Sequence, residues 1–362
     1  FSERIIPLHM DISLFDYKLP KKLIANSPIS PRDHSRLMVI NHKTGKIENK
    51  HFYNIIDYLT PNDVLVLNKT KVFPARLIVN KVTGGRAELL ILEEIKPGIW
   101  KCLTHPGLKK GNQLTIKKYL FDVVGHEGME SVIDTHLTKD KLMDLLKGYG
   151  HTPIPPYIKS KDTENKLRVK YQTVYADTVG SAAAPTAGFH FTSSLLKEIK
   201  KKGVQVEYVT LHVGLGTFTP VKTKEIENHP MHSEEYYIDG KTAKRLYIAK
   251  VKGKRIISVG TTTTRTLESV SNNEGKLDLK KLHGSTNIFI YPGYKFKFVD
   301  SLVTNFHLPK STLLTLVSAF VSFPNTKEKF ESFNSSLIGK AYKKAIKEKY
   351  RFYSFGDASL II

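Results

Sequence analysis

Five histidines stand in four segments whose composition sets them apart: TAGFHFT (186–192), TLHVGLGTF (210–218), HPMHSEEYY (229–237) and TNFHLPKST (304–312). An imidazole titrates near neutrality, so each can accept or release a proton at working pH. His190 lies between Phe189 and Phe191, just after the small-residue run SAAAPTAG, which leaves room for a ligand. His212 ends an apolar run and precedes Gly214 and Gly216. Ligands of open α/β sheets settle beyond such strand ends, and glycine lets the backbone come close. His232 and Glu234 form a further candidate acid/base pair. A metal site from His229, His232, Glu234 and Glu235 is not expected, because Pro230 breaks the helical spacing and no cysteine is near. For each histidine a purely structural role is the alternative.

A second group of residues suits an anion. In SVGTTTTRTLES (258–269) a strand is expected to end at Gly260, with Thr261 and Thr262 in the turn and Arg265 at the start of a helix. Exposed amides, hydroxyls and a guanidinium fit a carboxylate or phosphate; plain threonine capping is the other reading. HVGLGTF lacks the third glycine of a dinucleotide fingerprint, so Gly214 and Gly216 imply close backbone approach and nothing more. Arg32 and Arg36 lie in a proline-stiffened loop, Arg76 lies beside the conformationally restricted segment at Pro74, and Arg351 stands among aromatics in YRFYSFGD. Loop arginines suit phosphates, and neighbouring aromatics suit stacking on bases, unless they complete the core.

Elements must hold these residues in place. The 362-residue chain carries 56 Lys+Arg against 34 Asp+Glu, a formal net charge of +22. That excess favours a polyanionic partner, nucleic acid before an anionic membrane surface. Its single cysteine, Cys102, excludes a disulfide framework and points to a reducing, cytoplasmic setting. The run STLLTLVSAFVSF is too short to span a bilayer, and no export signal is read. Residues 1–9, before Met10, are read as a non-native extension.

LMVIN and VLVLN read as strands, with a hairpin turn at HKTGK. Between about Phe73 and Thr138 short alternating runs are separated by turn signals such as VTGGR and KKGN, which predicts a small barrel or sandwich. Beyond PIPPYI, strand and helix patterns alternate, predicting a predominantly parallel sheet covered on both faces. One helix is expected in LLKEIKKKG, a second from RTLESV, and an amphipathic third carrying Phe330, Phe333, Leu337, Ala341 and Ala345. The expected organisation is a discontinuous α/β domain, 10–72 and 153–362, with a β-barrel inserted at 73–152.

In order along the chain, the blocks FDYKLPKKLIA, PRDHSRLMV, VLVLNKTKVFPARL, TGGRAELLIL, PPYI, YQTVYA, GSAAAPTAGFHFT, TLHVGLGTFTPV, HPMHSEEYY, GTTTTRTLES, IFIYPGYKFK, TNFHLPKSTLL and YRFYSFGDA resemble the S-adenosylmethionine:tRNA ribosyltransferase-isomerases of queuosine biosynthesis. The resemblance spans Met10 to Ile362. It departs at Lys69 and Lys71, where the family usually has Asp and Arg. It departs again at Leu167, Arg168, Val169 and Lys170 in place of Asp-Arg-Glu-Arg, and at Glu235, where Trp is common. No chemistry is assigned at those places.

The resemblance implies a large α/β sandwich domain with an inserted β-barrel. It implies transfer and isomerisation of the ribosyl part of S-adenosylmethionine, a cosubstrate, onto 7-aminomethyl-7-deazaguanine at the wobble position in the tRNA anticodon loop. Epoxyqueuosine, adenine and methionine would result, with no metal required and a monomer as the expected working unit. On this reading His190 and His212 lead as proton-transfer groups, with His232 and Glu234 second. Gly214, Gly216 and Thr217 would admit adenosine or ribose. Gly260, Thr261, Thr262 and Arg265 would hold the methionine carboxylate or a phosphate. Arg32, Arg36, Arg76, Lys310 and Arg351 would meet tRNA. Two rivals stay open: an S-adenosylmethionine-dependent RNA methyltransferase, and a noncatalytic tRNA-binding protein.

Overall fold

The computed structural model describes residues 9–214 and 221–362. Residues 1–8, together with Gly216 and Thr217, lie outside the described residues.

The chain enters the α/β part through β1 (Arg36–Ile40), β2 (Ile47–His51), β3 (Asp63–Asn68) and a short β4 (Thr70–Val72). It then builds β5 (Arg76–Lys81), β6 (Arg86–Lys96), β7 (Ile99–His105), β8 (Gln113–Ile116), β9 (Tyr119–Glu127) and β10 (Glu130–Asp134). These six close a barrel in the order β10-β7-β6-β5-β8-β9. Helix α1 (Lys139–Tyr149) buries Leu142, Leu145 and Leu146 in the same apolar cluster as the barrel's Leu77, Leu89, Trp100 and Phe121.

After α2 (Glu164–Lys170), β11 (Thr178–Ser181) pairs with β4. The remaining elements are α3 (Ser193–Lys201), β12 (Gln205–Leu211), β13 (Glu234–Tyr237), α4 (Gly240–Val251), β14 (Arg255–Val259), α5 (Thr261–Val270), β15 (His283–Thr286), β16 (Ser301–Asn305), α6 (Thr312–Phe320), α7 (Leu337–Lys347) and β17 (Ala358–Ile361). Among the described residues their strands join β1, β2 and β3 in one sheet in the order β15-β13-β12-β3-β14-β16-β17-β1-β2.

The unbroken apolar run of β3 reflects burial on both faces. Val64 and Val66 join the cluster under α4, α5, α6 and α7, while Leu65 and Leu67 join the one under α3. The sheet is mixed rather than predominantly parallel. β12, β3, β14 and β16 run parallel, but β13, β15, β17 and β2 each meet a neighbour antiparallel. β17 runs antiparallel to β16, from which α6 and α7 separate it along the chain.

Helix α5 starts four residues before the position expected from sequence. Gly260, at φ 88°, precedes it, and all four threonines are inside. Threonine is tolerated there because its hydroxyl can bond back one turn. Thr263 Oγ1 donates to the Val259 carbonyl at 2.7 Å, and Thr264 Oγ1 to that of Gly260 at 3.1 Å. The C-terminal helix is shorter than expected: Phe330 and Phe333 precede α7, whose buried face is Leu337, Ile338, Ala341, Tyr342 and Ala345.

Candidate functional site at the barrel–sheet junction

The four parallel strands present their carboxyl ends together, at Leu211, Asn68, Val259 and Asn305. The chain leaves that edge for the barrel through β4 and returns through β11, so the barrel is rooted where ligands of such sheets settle. A cavity of about 500 Å³ lies in the junction. Its barrel-side lining includes Phe73, Leu92, Leu103, Glu130, Lys139 and Met143; its sheet-side lining includes Gly180, His212, Gly214, His232, Glu234 and Glu235.

His212 immediately follows β12, and its position is fixed from three directions. Asn68 Nδ2 donates to the Leu211 carbonyl at 3.0 Å and its Oδ1 accepts from the Leu211 N–H at 3.1 Å, which locks the strand end to β3. The His212 N–H donates to the Glu235 carbonyl at 2.9 Å. Thr70 Oγ1 lies 2.8 Å from Nδ1. The imidazole packs on Gly180, where a Cβ would stand 2.6 Å from Cε1 and 2.8 Å from Nε2. Nδ1 is thus engaged by Thr70. Burial holds the His212 pKa below its ordinary value, opposed by the Glu235 carboxylate and reinforced by the Lys139 ammonium. The resting imidazole is therefore neutral at pH 7, the form a base requires.

His232 reaches the same cavity, and its Nδ1 is 3.6 Å from Glu130 Oε1 of β10. Glu234 is engaged differently from the expected acid/base pairing. Its Oε1 accepts from the Gly214 N–H at 3.0 Å, and its Oε2 accepts a very short hydrogen bond from Arg265 Nη1. Both side chains of this ion pair are buried, at 4% and 3% exposure. Arg265 also donates to the carbonyls of Ile288 and Thr286, so its guanidinium is not presented to a ligand as the sequence led one to expect. Gly260, Thr261 and Thr262 are buried beside it, and they are not part of the cavity lining.

Arg265→Met is expected to destabilise the protein by about 3–5 kcal/mol, because it removes one member of a buried ion pair. Adding Glu234→Gln, which keeps an acceptor for Gly214, should restore much of that loss. Urea denaturation of both variants checks it.

His190 is placed elsewhere. It is buried, stacks on Phe52 at 5.0 Å between centroids, and has Ser35 Oγ 2.7 Å from Nδ1 and Asn305 Nδ2 3.2 Å from Nε2. Burial, with Arg351 and Arg32 nearby, pushes its pKa down to about 3. Both ring nitrogens are thus occupied within the protein. The small residues before it serve packing: a Cβ at Gly188 would stand 1.9 Å from the Tyr175 hydroxyl, and Ala183, Ala184 and Ala187 are core. His307 is also buried, with Nε2 2.8 Å from Thr304 Oγ1.

The cations expected to meet tRNA are engaged within the chain. Arg32 donates to the carbonyls of Val169, Lys170 and Gln172, which ties the N-terminal loop to the end of α2. Arg36 pairs with Glu348 at 3.2 Å and lies over the Tyr350 ring. Arg76 pairs with Glu88 at 3.1 Å and donates to the Ile154 carbonyl. Arg351 donates to the Ser27 carbonyl. Lys310, more exposed, pairs with Asp16 at 2.9 Å.

Reasoning from the sequence missed Thr70, Gly180, Glu130 and Lys139, none of which carries a local signal. No group of three or more His, Cys, Asp or Glu side chains able to hold a metal occurs among the described residues. No helix among them is long and apolar enough to cross a membrane.

The family model described as "Queuosine biosynthesis protein" matches residues 12–361. S-adenosylmethionine:tRNA ribosyltransferase-isomerase of Thermotoga petrophila is 48% identical, over 98% of this chain and all of the relative. The protein of the same name from Halothermothrix orenii is 49% identical with the same coverage. The crystal structure of an S-adenosylmethionine tRNA ribosyltransferase from Thermotoga maritima superposes with a TM-score of 0.52 at 37% identity, covering 97% of this chain and all of that one.

Proposed function

The chain belongs to the queuosine biosynthesis protein family, and from that premise we propose that it moves the ribosyl part of S-adenosylmethionine onto 7-aminomethyl-7-deazaguanine in the tRNA anticodon loop. Epoxyqueuosine, adenine and methionine are the products of that reaction. The observation that supports it most is the cavity itself, where His212 lines a space bounded by both the sheet and the barrel.

The chemistry asks for several proton transfers. The sulfonium acidifies the adjacent 5′ carbon, but a positioned base must still take its proton. We assign that task to His212, whose buried imidazole is neutral at rest and fixed at Nδ1. Adenine departs more readily when protonated, and the aminomethyl group must be neutral to attack. His232, with Glu130 beside it, is the second group in the cavity able to relay those protons. Methionine leaves as a neutral thioether, so no metal is needed to carry leaving-group charge. Glu234 and Arg265 act as a buried strut that fixes the Gly214 amide at the cavity edge.

The carboxylates around the cavity, among them Glu93, Glu130, Asp140 and Glu235, suit a cationic sulfonium within a chain of net charge +22. Lys139, in the cavity lining, and exposed Lys71, paired with Val179 at its rim, are placed to meet phosphate. Both walls come from one chain, so we take a monomer as the working unit, acting in the cytoplasm where tRNA is modified.

The test is turnover of the purified protein with S-adenosylmethionine and tRNA bearing the aminomethyl-deazaguanine base. Free adenine together with a ribosyl-derived mass gain is the expected result. A methyl-sized gain without adenine would identify a methyltransferase instead. Salt-sensitive tRNA binding without turnover would leave only a binding protein.

A further inference from the structure

We propose that the face running from the cavity mouth across β4 and β11 to α3 carries the tRNA backbone, with Lys71, Lys197, Lys200 and Lys201 as its phosphate contacts. The proposal rests on the functional reading above and adds where the polyanion lies.

The face is continuous. Val179 lines the cavity and pairs with Lys71, the outward residue between buried Thr70 and Val72 of β4. Beside it the Asp177 N–H donates to the Lys69 carbonyl at 2.9 Å, and the two side chains pair at 3.1 Å. Tyr175 packs on Tyr208 of β12 at 5.7 Å between ring centroids. Lys200 Nζ stands 5.8 Å from the centre of the Tyr208 ring, which brings the face onto α3.

Helix α3 buries Leu195, Leu196 and Ile199, while its Lys197, Lys200 and Lys201 are exposed. Spacings of three and four residues put these three ammonium groups on one side of the helix. Like charges so placed repel one another, and Glu198 is the sole carboxylate of α3. The helix dipole favours Lys200 and Lys201 in the last turn, but it offers nothing to Lys197 or Lys71. None of these four lysines pairs with a carboxylate among the described residues. In this they differ from Arg36 and Arg76, whose guanidinium groups are taken by Glu348 and Glu88.

Charge changes sign at the cavity mouth. The cavity is lined by Glu93, Glu94, Glu130, Asp140 and Glu235 beside Lys101 and Lys139, and its Glu234 is paired with Arg265. Phosphates are therefore attracted along the lysine face and repelled from the cavity itself. A nucleotide can reach the cavity only with its backbone held outside, on that face. Val174 and Val179 are 46% and 53% exposed there. An anticodon loop presents unpaired bases and sugars as well as phosphates, and the two valines match its apolar parts.

Affinity of the intact protein for tRNA is measured over a range of salt concentrations. The triple variant Lys197→Gln, Lys200→Gln, Lys201→Gln should lower the slope of log affinity against log salt by about 2 to 3, near one per lysine. Lys71→Gln should lower it by about 1. The triple variant Lys340→Gln, Lys343→Gln, Lys347→Gln removes the same charge from α7, on the other side of the sheet, and should leave the slope as in wild type. Val174→Glu should weaken tRNA roughly fivefold, the scale of one like-charge contact in water. Circular dichroism confirms that each variant is folded. Equal slopes for the α3 and α7 variants would overturn the proposal, since net charge alone would then account for binding. Full wild-type affinity in Val174→Glu would overturn it as well. Wild-type adenine release is measured alongside. Turnover with equal slopes for the two triple variants removes only this face, whereas absent turnover removes the functional reading itself.

Discussion

His212→Gln should lower the rate of adenine release about 10²- to 10⁴-fold, the usual contribution of a positioned acid/base group. Glutamine keeps a polar side chain of similar reach but cannot take a proton. Binding of tRNA and of S-adenosylmethionine should survive, because the strand end is held by Asn68 and by the backbone bond to Glu235 rather than by the imidazole. Single-turnover rates beside equilibrium binding separate the two. The pH profile carries the sign of the effect. Burial lowers the His212 pKa from 6.5, so the base form persists below that pH, and the acid limb of the wild-type rate should fall there. Lys139 lowers this pKa and Glu235 raises it. Lys139→Gln should therefore move the acid limb up, and Glu235→Gln should move it down.

Gly180→Ala should produce a comparable loss without removing any functional group. The new Cβ would stand 2.6 to 2.9 Å from three atoms of the His212 ring, closer than side-chain carbons approach. The backbone there has φ +153°, which disfavours a side chain as well. The imidazole must tilt or shift, breaking its alignment with Thr70. Misplacing a catalytic group by about 1 Å costs on the order of 10²-fold in rate. The expected signature is a fall in kcat of about that size with KM little changed, larger than the accompanying loss of stability accounts for. A fall in stability large enough to account for the lost rate would argue that Gly180 serves folding alone.

Much of the fold is legible in the sequence because burial leaves periodic traces. The apolar run of β3 announces a strand covered on both faces, and the short runs between turns announce the barrel. The threonines before Arg265 read as a turn because their bonds back to Val259 and Gly260 appear only once the helix is buried. The mixed sheet is equally hidden, since strand direction is set by pairing between distant segments and not by any local pattern.

The site is legible only in part. His212 stands out because a strand end followed by glycine is a local signal. His190 stands out for a similar reason, yet its nitrogens meet Ser35 and Asn305, 155 and 115 residues away. The arginines mislead in the same way. Arg32 looks like a loop cation until the carbonyls of Val169, Lys170 and Gln172 are brought beside it. Glu130 meets His232 only across the junction of barrel and sheet, so no motif in either segment could reveal it.

The central claim is that the reaction takes place at that junction. A crystal structure of the protein with bound S-adenosylmethionine tests it most directly. The account predicts the cosubstrate in the cavity, with its ribosyl carbon next to the His212 ring. Density for the cosubstrate away from His212, at the start of α5 or on the outer surface of the sheet, would contradict it.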